Sequence, residues 1–138
     1  MRYERAHEEG LDEVILLNER GEVSECTSAN IFVVEAGGKH VFTPPLSAGC
    51  LAGVTRAVLL EQVKIPGVTI AEKTLFAQDL SAAEEVFVTS TTREVLPVAS
   101  IQGTSVNRSS PTLPLLQRAY SESVAKYVNA RRNPIYNL

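Results

Sequence analysis

The chain contains 138 residues, of which 44% are hydrophobic and 21% are charged, and its formal net charge is −3. This composition is typical of a globular domain and excludes wholesale disorder. The excess of acids disfavours a basic nucleic-acid-binding protein and a polybasic membrane-binding protein. The longest apolar runs, such as residues 14–17, have four residues, whereas a membrane span needs about 20. Because the charged start does not resemble a signal peptide, we expect a cytoplasmic protein.

Residues that bind metals or form disulfides are few. The sequence holds two cysteines, Cys26 and Cys50, and two histidines, His7 and His40. Two cysteines do not make a disulfide framework, so we expect reduced thiols that pack as small buried hydrophobic residues. The histidines are far apart and no metal-ligand spacing is present, which predicts that the chain has no metal site.

The first half of the chain predicts the end of a helix followed by four strands. Residues 2–9 are polar and compatible with a helix, which Gly10 would end. Apolar runs separated by turn signals predict strands at residues 12–18, 22–27, 30–35 and 39–43. Pro44 and Pro45 end the last of these strands and stiffen the loop after it.

The second half of the chain mixes helices with strands. After a loop at residues 46–53, the pattern predicts helices at 54–64, 75–83 and 115–129, strands at 68–72, 85–89 and 94–101, and a polar loop at 103–114. Helices and strands do not alternate strictly, so the sequence predicts an α/β fold with a mixed sheet.

A glycine-containing segment, residues 51–56, lies where a loop meets the predicted helix at 54–64. Gly53 would let a ligand approach the backbone closely, and the first N–H groups of the helix, from Val54 on, have no intrahelical partners. The helix dipole favours an anion there, and Thr55 could add a hydroxyl to a phosphate site. The alternative is an ordinary helix start at which Thr55 contacts no ligand.

Three consecutive hydroxyl residues, Ser90, Thr91 and Thr92, follow the predicted strand at residues 85–89. Sites in α/β proteins lie at strand ends, where hydroxyl and backbone N–H groups suit a phosphate or a carboxylate. The alternative is a hydroxyl-rich turn that binds nothing.

Glu25 lies in a predicted strand between two buried runs. If its carboxylate is buried, it needs a partner, and a protonated ring nitrogen is a suitable one because an ionised carboxylate favours the charged ring. The alternative is an exposed strand carboxylate. Asn30, at the following turn, could serve only to hydrogen-bond the backbone.

The other polar residues predict structural or solvent-facing roles. We expect Arg56 to pair with an acid on the surface rather than to bind phosphate, and Glu13 to face solvent with the acids at residues 8, 9 and 12. Glu84 and Glu85 are adjacent, so in a strand they point to opposite faces and do not form an acid–base pair.

Six segments in order resemble the class IV (fold type IV) pyridoxal-phosphate enzymes, which include branched-chain aminotransferases, D-amino-acid aminotransferases and aminodeoxychorismate lyase. The segments are residues 10–18 (GLDEVILLN), 21–25 (GEVSE), 28–34 (SANIFVV), 43–45 (TPP), 51–56 (LAGVTR) and 85–92 (EVFVTSTT), closing with PV at 97–98. The resemblance covers about residues 6–101. It implies a mixed sheet or partial barrel flanked by helices, and pyridoxal 5′-phosphate (PLP) as the cofactor.

The resemblance gives Glu25 a chemical role. Glu25 matches the carboxylate that holds the ring nitrogen of PLP and keeps it protonated. The ring can then accept the electron pair that forms at the α-carbon of the substrate. Asn30 matches a residue packed behind this carboxylate.

The remaining matched residues contact the cofactor or the substrate. The phosphate cup at a helix N-terminus matches three consecutive residues, which are Gly53, Val54 and Thr55. Thr91 matches a second phosphate contact, and Ser90 and Thr92 match positions at which the cofactor or the substrate carboxylate is bound. One bound PLP would thus account for all three groups of polar residues.

The family's Schiff-base lysine, which binds the cofactor and shuttles protons, matches no residue of this chain. In the family this lysine precedes the segment that resembles residues 6–10. The distance between them is longer than the five residues that precede this segment here. The four lysines are Lys39, Lys64, Lys73 and Lys126, and none is in a matching context. We therefore expect residues 1–138 to form a single domain, the PLP-binding C-terminal half of such an enzyme, without its N-terminal domain and inactive alone.

The activity implied by the resemblance is the transfer of an amino group between an amino acid, of the branched-chain type, and a 2-oxo acid, by a homodimer. Two alternatives stay open. One is aminodeoxychorismate lyase, which releases 4-aminobenzoate and pyruvate. The other is a non-catalytic remnant that binds a phosphorylated ligand or a partner protein, which the missing lysine favours.

Overall fold

The structure, a computed structural model, describes residues 13–102, 104–106 and 110–132, with only the backbone at 127–132. The predicted helix at residues 2–9 and its end at Gly10 lie outside the described residues. Within them the chain forms nine strands: β1 (Ile15–Leu17), β2 (Val23–Cys26), β3 (Asn30–Val34), β4 (His40–Thr43), β5 (Thr69–Glu72), β6 (Glu85–Ser90), β7 (Glu94–Pro97), β8 (Ser100–Ile101) and β9 (Thr104–Ser105). The helices are α1 (Val54–Glu61), α2 (Ala77–Ala82) and α3 (Thr112–Arg132), with a 3₁₀-helix at Leu46–Ala48.

A five-stranded sheet with the order β5-β4-β3-β6-β7 forms the centre of the fold. Only β4 and β5 run parallel among its neighbouring pairs, and the other pairs are antiparallel. Strands β1 and β2 form a separate antiparallel hairpin, as do β8 and β9. The predicted α/β fold with a mixed sheet is therefore confirmed.

The two central strands, β3 and β6, carry the core of the protein. All five residues of β3 are buried, as is typical of a strand with both faces of the sheet covered. Alternation places Ile31 and Val33 in one apolar cluster and Phe32 and Val34 in the other. The ring of Phe32 stacks on that of Phe87 in β6, with 5.0 Å between the centroids.

Each face of the sheet is covered by different elements. Helices α1 and α3 cover the face that carries Phe32, through residues such as Leu59 and Leu116. The β1–β2 hairpin and α2 cover the opposite face, through residues such as Val23 and Leu80. The hydroxyl of Thr55, in the first turn of α1, donates to the carbonyl of Ser90 (3.2 Å), so this turn lies beside the end of β6, where a cavity opens.

Helix α3 begins at Thr112, earlier than the predicted start at residue 115. The prolines at 111 and 114 indicated a loop, but Pro114 lies in the first helical turn, where a backbone N–H has no intrahelical partner in any case. The hydroxyl of Ser110 accepts a hydrogen bond from the N–H of Thr112 (3.1 Å) and so supports this start.

The predicted strand at residues 94–101 is wrong as a single element, because β7 ends at Pro97 and β8 is a separate short strand. Proline has no N–H to donate to a strand ladder, and beyond it the N–H of Val98 makes one more hydrogen bond to β6, to the carbonyl of Val86 (2.9 Å). Strand β9 lies in the region predicted as a loop, and its two residues are too few to show an alternating pattern.

The cysteines of the chain are both buried and form no disulfide, as expected. Burial raises the pKa of the Cys26 thiol to about 12, so this group stays protonated at neutral pH. In the part of the chain that the structure describes, no helix combines the length and the apolar character needed to cross a membrane.

Candidate functional site

A cavity of about 230 Å³ opens where the β2–β3 turn, the end of β6 and the start of α1 meet. Its lining residues come from three stretches of the chain and are Glu25, Cys26, Thr27, Ser28, Ala29, Asn30, Leu51, Gly53, Val54, Thr55, Thr89, Ser90 and Thr91. The structure thus brings seven of the eight predicted site residues to one cavity, although they are spread over more than sixty positions of the sequence.

Two predicted site residues hold the backbone of Leu51 from opposite sides. The N–H of Leu51 donates to Oε1 of Glu25 (2.8 Å), and the side-chain amide of Asn30 donates to the carbonyl of Leu51 (2.9 Å). Glu25 is half-buried, and its second oxygen, Oε2, has no hydrogen-bond partner among the described residues. The carboxylate therefore lies on the cavity wall with one oxygen fixed and one available to a ligand.

The start of α1 forms another wall of the cavity. Gly53 is the N-cap residue and has no side chain with which to cap the helix, so the positive end of the helix dipole lies at the cavity. Packing also favours glycine at position 53. A Cβ atom there would lie closer to Oδ1 of Asn30 than real Cβ contacts allow.

The hydroxyl of Thr55 is engaged within the protein. Thr55 is 2% exposed, and its Oγ1 lies 3.2 Å from the carbonyl of Ser90 and 3.2 Å from the hydroxyl of Tyr120. The carbonyl of Ser90 accepts the single hydrogen of the Thr55 hydroxyl, and the hydroxyl of Tyr120 can donate to the same Oγ1. Thr55 therefore anchors α1 to β6 and α3, and what it can donate to an anion is its backbone N–H.

The three hydroxyl residues after β6 have different positions. Ser90 lines the cavity, and its Oγ accepts hydrogen bonds from the N–H of Arg93 (3.1 Å) and from Nε of Arg93 (3.4 Å). Thr91 lines the cavity as well. Thr92 is exposed and is not among the lining residues, because the turn that begins at Thr91 carries it away from the cavity.

A cluster around Glu13 holds the two loops at the cavity together, and the prediction that Glu13 faces solvent is wrong. The Glu13 carboxylate accepts hydrogen bonds from the N–H of Ser28 (2.8 Å), the hydroxyl of Ser28 and the hydroxyl of Thr27 (3.2 Å). Arg93 lies 3.3 Å from Glu13 and also donates to Oγ of Ser28 (2.8 Å). The ion pair thus ties the β6–β7 turn to the β2–β3 turn.

The same contacts change the acidity of Glu13. Burial alone would raise the pKa of its carboxyl, but the hydrogen bonds from Ser28, the charge of Arg93 and the hydrogen bond from Thr27 together hold the pKa below its ordinary value of 4.5. Ionised Glu13 therefore stabilises the folded state fully above pH 4.5, and this stabilisation is lost as the pH falls through the lowered pKa.

We expect Glu13→Gln to lower the free energy of unfolding at pH 7 by about 1–2 kcal/mol, because it removes the charge from several hydrogen bonds. The difference from the unchanged chain should shrink as the pH falls below 4.5. Urea unfolding at pH 7 and pH 4 measures both effects. The control is Glu19→Gln, at an exposed carboxylate of the β1–β2 turn. Equal losses in the two variants would contradict the role given to Glu13.

Arg56 pairs with an exposed acid, as expected, but its own side chain is buried rather than on the surface. The side chain is buried, and its Nη2 pairs with Glu72 and donates to the carbonyl of Pro44 (3.1 Å). Arg56 therefore fastens α1 to the end of β5 and to the loop after β4. It does not line the cavity.

All four lysines of the chain are described and exposed, and none lines the cavity. Lys73 lies instead beside a second depression of about 200 Å³. Its ammonium group lies 3.5 Å from Glu35 and 4.7 Å from the ring centre of Phe42. No cluster of three or more potential metal-binding side chains occurs among the described residues.

The chain is similar in sequence to known aminotransferases. A family model described as amino-transferase class IV matches residues 1–101. A candidate branched-chain-amino-acid aminotransferase of Methanocaldococcus jannaschii is 39% identical over 103 residues, which cover 75% of this chain and 35% of that protein. The branched-chain-amino-acid aminotransferase of Escherichia coli K12 is 34% identical over 117 residues, 83% of this chain and 37% of that protein.

Solved structures show the same fold. The branched-chain amino acid aminotransferase of E. coli superimposes with a TM-score of 0.78 at 33% identity, over 86% of this chain and 40% of that one. The branched-chain amino acid aminotransferase of Thermobaculum terrenum in its PLP form superimposes with a TM-score of 0.80 at 27% identity, over 94% of this chain and 43% of that one. A candidate 4-amino-4-deoxychorismate lyase of Legionella pneumophila superimposes with a TM-score of 0.79 at 25% identity, over 87% of this chain and 44% of that one.

These solved structures share the mixed α/β fold of the chain. The chain belongs to the class IV aminotransferase family. It spans little more than a third of the length of the curated relatives named above.

Proposed function

We propose that this chain is the cofactor-binding part of a PLP-dependent aminotransferase that moves an amino group between a branched-chain amino acid and a 2-oxo acid. The observation that carries the proposal is the composition of the cavity wall. The half-buried carboxylate of Glu25 and the N-terminal residues of α1, Gly53 and Val54, line one cavity of about 230 Å³. The family membership and the named relatives support the reaction type.

The residues of the cavity fit PLP at both ends of that molecule. The backbone N–H groups at the start of α1, together with Thr91, would hold the phosphate, since a helix N-terminus favours an anion. Glu25 would accept a hydrogen bond from the ring nitrogen through Oε2, which has no other partner among the described residues. Leu51 and Val54 are 74% and 71% exposed and offer apolar surface beside the ring.

PLP, when bound, supplies an electron sink for the electron pair released at the α-carbon of the substrate. The chain's own contribution is electrostatic and positional. Ionised Glu25 favours a protonated ring nitrogen, and the hydrogen bond from Leu51 fixes the orientation of that carboxylate. The contact between Asn30 and Leu51 holds the loop between Glu25 and α1 in place.

Proton transfer at the α-carbon needs a base, and the one carboxylate among the lining residues, Glu25, is assigned here to the ring nitrogen. The reaction of the family relies on a lysine for this purpose, and the four lysines of this chain all lie elsewhere. We therefore infer that the lysine, the remaining wall of the substrate pocket and a second subunit complete the site in the whole protein. On that basis residues 1–138 alone are inactive.

Two other functions have a specific observation in their favour. The match to the Legionella structure supports a lyase that releases 4-aminobenzoate and pyruvate. The absence of a lysine from the cavity wall supports a non-catalytic remnant that binds a phosphorylated ligand. Product analysis with the protein from the complete reading frame separates them, because amino-group transfer, 4-aminobenzoate release and no turnover are different outcomes.

We expect the 138-residue chain to bind PLP reversibly and without a covalent bond to any one lysine. An absorbance titration with PLP, repeated with pyridoxal, should show saturable binding that is at least tenfold tighter for PLP, because the phosphate contacts the start of α1. Borohydride treatment followed by peptide mapping should then find no single lysine that retains the cofactor.

Neighbouring threonines provide the matched control for this titration. Thr91→Ala should weaken PLP binding about tenfold, whereas Thr92→Ala should leave it unchanged, since only Thr91 lines the cavity. Failure of the unchanged chain to bind PLP, or equal effects of the two variants, would overturn the proposed cofactor site. Stable attachment to one lysine would overturn the inference that the lysine lies in another part of the protein.

A further inference from the structure

Thr89 in β6 has a buried hydroxyl without a partner. The residue is 1% exposed, and its Oγ1 makes no hydrogen bond with the residues that the structure describes. Two other buried polar atoms share this property, Nε of Arg56 and Oε2 of Glu84, but neither residue lines the cavity. Thr89 does line it, so its unpaired hydroxyl belongs to the wall of the candidate site.

The position of Thr89 in the sheet places it under the start of α1. Thr89 pairs in register with Asn30, and Oδ1 of Asn30 lies against Gly53. Alternation along β6 gives Thr89 the same face as Phe87, which packs in one cluster with Leu59 of α1. The hydroxyl therefore lies between the sheet and the helix N-terminus.

The neighbouring hydroxyls, those of Thr55 and Ser90, differ from the Thr89 hydroxyl because each has a hydrogen-bond partner in the protein. The Thr55 hydroxyl contacts the carbonyl of Ser90 and the hydroxyl of Tyr120. Oγ of Ser90 accepts hydrogen bonds from Arg93 and keeps its own hydrogen, but Ser90 is only half-buried and points to the opposite side of the strand from Thr89. Thr89 thus keeps its hydrogen free for a ligand in a buried place, where an unmade hydrogen bond destabilises the protein.

We propose that the Thr89 hydroxyl donates a hydrogen bond to the phosphate of the ligand held at the start of α1. This inference rests on the proposed function, and it adds a binding residue that the sequence pattern did not indicate. A phosphate oxygen supplies the acceptor that the hydroxyl lacks, so ligand binding removes an unfavourable feature of the empty chain. The hydroxyl is thus unfavourable for the fold and favourable for binding.

The test is Thr89→Val, which keeps the shape of the side chain and removes the hydroxyl. We expect the melting temperature of the ligand-free chain to rise by about 2–6 °C, since an unpaired buried group is removed. We expect the dissociation constants for PLP and for inorganic phosphate to rise about tenfold, and that for pyridoxal to stay the same. Thr89→Ser, which keeps the hydroxyl, should bind PLP within about threefold of the unchanged chain.

Thr43→Val is the matched control, because Thr43 is an equally buried strand threonine outside the cavity. Its hydroxyl donates to the carbonyl of Ile31 (2.7 Å), so the variant should have a lower melting temperature and unchanged ligand binding. The opposite signs of the two temperature shifts separate a binding hydroxyl from a structural one.

Three results would overturn the assignment of Thr89. They are a lower melting temperature of Thr89→Val, unchanged binding of both PLP and phosphate, and equal weakening of PLP and pyridoxal, which would place the hydroxyl at the ring. Failure of the proposed function looks different. In that case the unchanged chain binds inorganic phosphate but not PLP, and the phosphate titrations of the two Thr89 variants still decide the role of the hydroxyl.

Discussion

Replacing Glu25 with glutamine in the protein from the complete reading frame should lower kcat/KM for amino-group transfer by about a hundred- to a thousandfold, the range typical of losing one group that stabilises developing charge. The glutamine oxygen can still accept the hydrogen bond from the N–H of Leu51, which is 2.8 Å in the present structure. The amide is neutral, however, so it cannot favour a protonated ring nitrogen. The variant therefore removes the charge and keeps the position.

Two further measurements make the result specific for the charge of Glu25. The melting temperature of Glu25→Gln should stay within about 2 °C of the unchanged protein, because the side chain is only half-buried and keeps its contact with Leu51. Glu25→Ala, which also releases Leu51, should be at least as inactive. The control is Glu61→Gln, at an exposed residue at the end of α1, which should keep full activity. Full turnover of Glu25→Gln would remove Glu25 from the mechanism.

Local sequence pattern was sufficient to predict the elements that build the site. The buried strand before Ser90 and the glycine before the helix at residue 54 are encoded in consecutive residues, and the structure confirms both elements. Their chemistry is local too, because a helix start and a strand end present backbone groups whatever the rest of the fold does. The roles of the side chains in binding PLP remain predictions.

The contacts between distant segments could not be predicted in this way. Glu13 and Arg93 are 80 positions apart, and nothing near Glu13 distinguishes it from the other acids of its stretch. The sequence contains one hint of this ion pair. Arg93 directly follows the hydroxyl residues Thr91 and Thr92, so a cation near the candidate site could have been expected there. The exposed position of Thr92 could not be predicted either, because a turn has no periodicity that indicates which side chain faces a cavity.

Thr89 shows a different limit of sequence reasoning. A threonine is an ordinary strand residue, and a hydroxyl in the apolar run of β6 gives only a weak signal. Whether such a hydroxyl finds a partner depends on what packs above it, which here is the start of α1. The sequence indicated the Thr55 hydroxyl as the donor to an anion, but this hydroxyl donates to the carbonyl of Ser90 instead.

Replacing Gly53 with alanine should damage both the fold and the site, because the added Cβ collides with the side chain of Asn30. The backbone at Gly53 (φ −61°) suits any residue, so strain of the main chain plays no part. Asn30 cannot move freely, since its amide holds the carbonyl of Leu51. We expect Gly53→Ala to lower the free energy of unfolding by about 1–3 kcal/mol, as for an overpacked site, and to weaken PLP binding at least tenfold.

A double-mutant cycle tests whether Asn30 is the cause. Asn30→Ala should destabilise the chain on its own, but Gly53→Ala should have a much smaller additional effect in that background, because the space for a Cβ is then free. Gly67→Ala is the contrasting control. Nothing lies within 4 Å of its Cβ position, but its φ is +79°, so it should lower stability through backbone strain and leave PLP binding unchanged. Additive effects of Gly53→Ala and Asn30→Ala would mean that the destabilisation by Gly53→Ala does not come from a collision with Asn30.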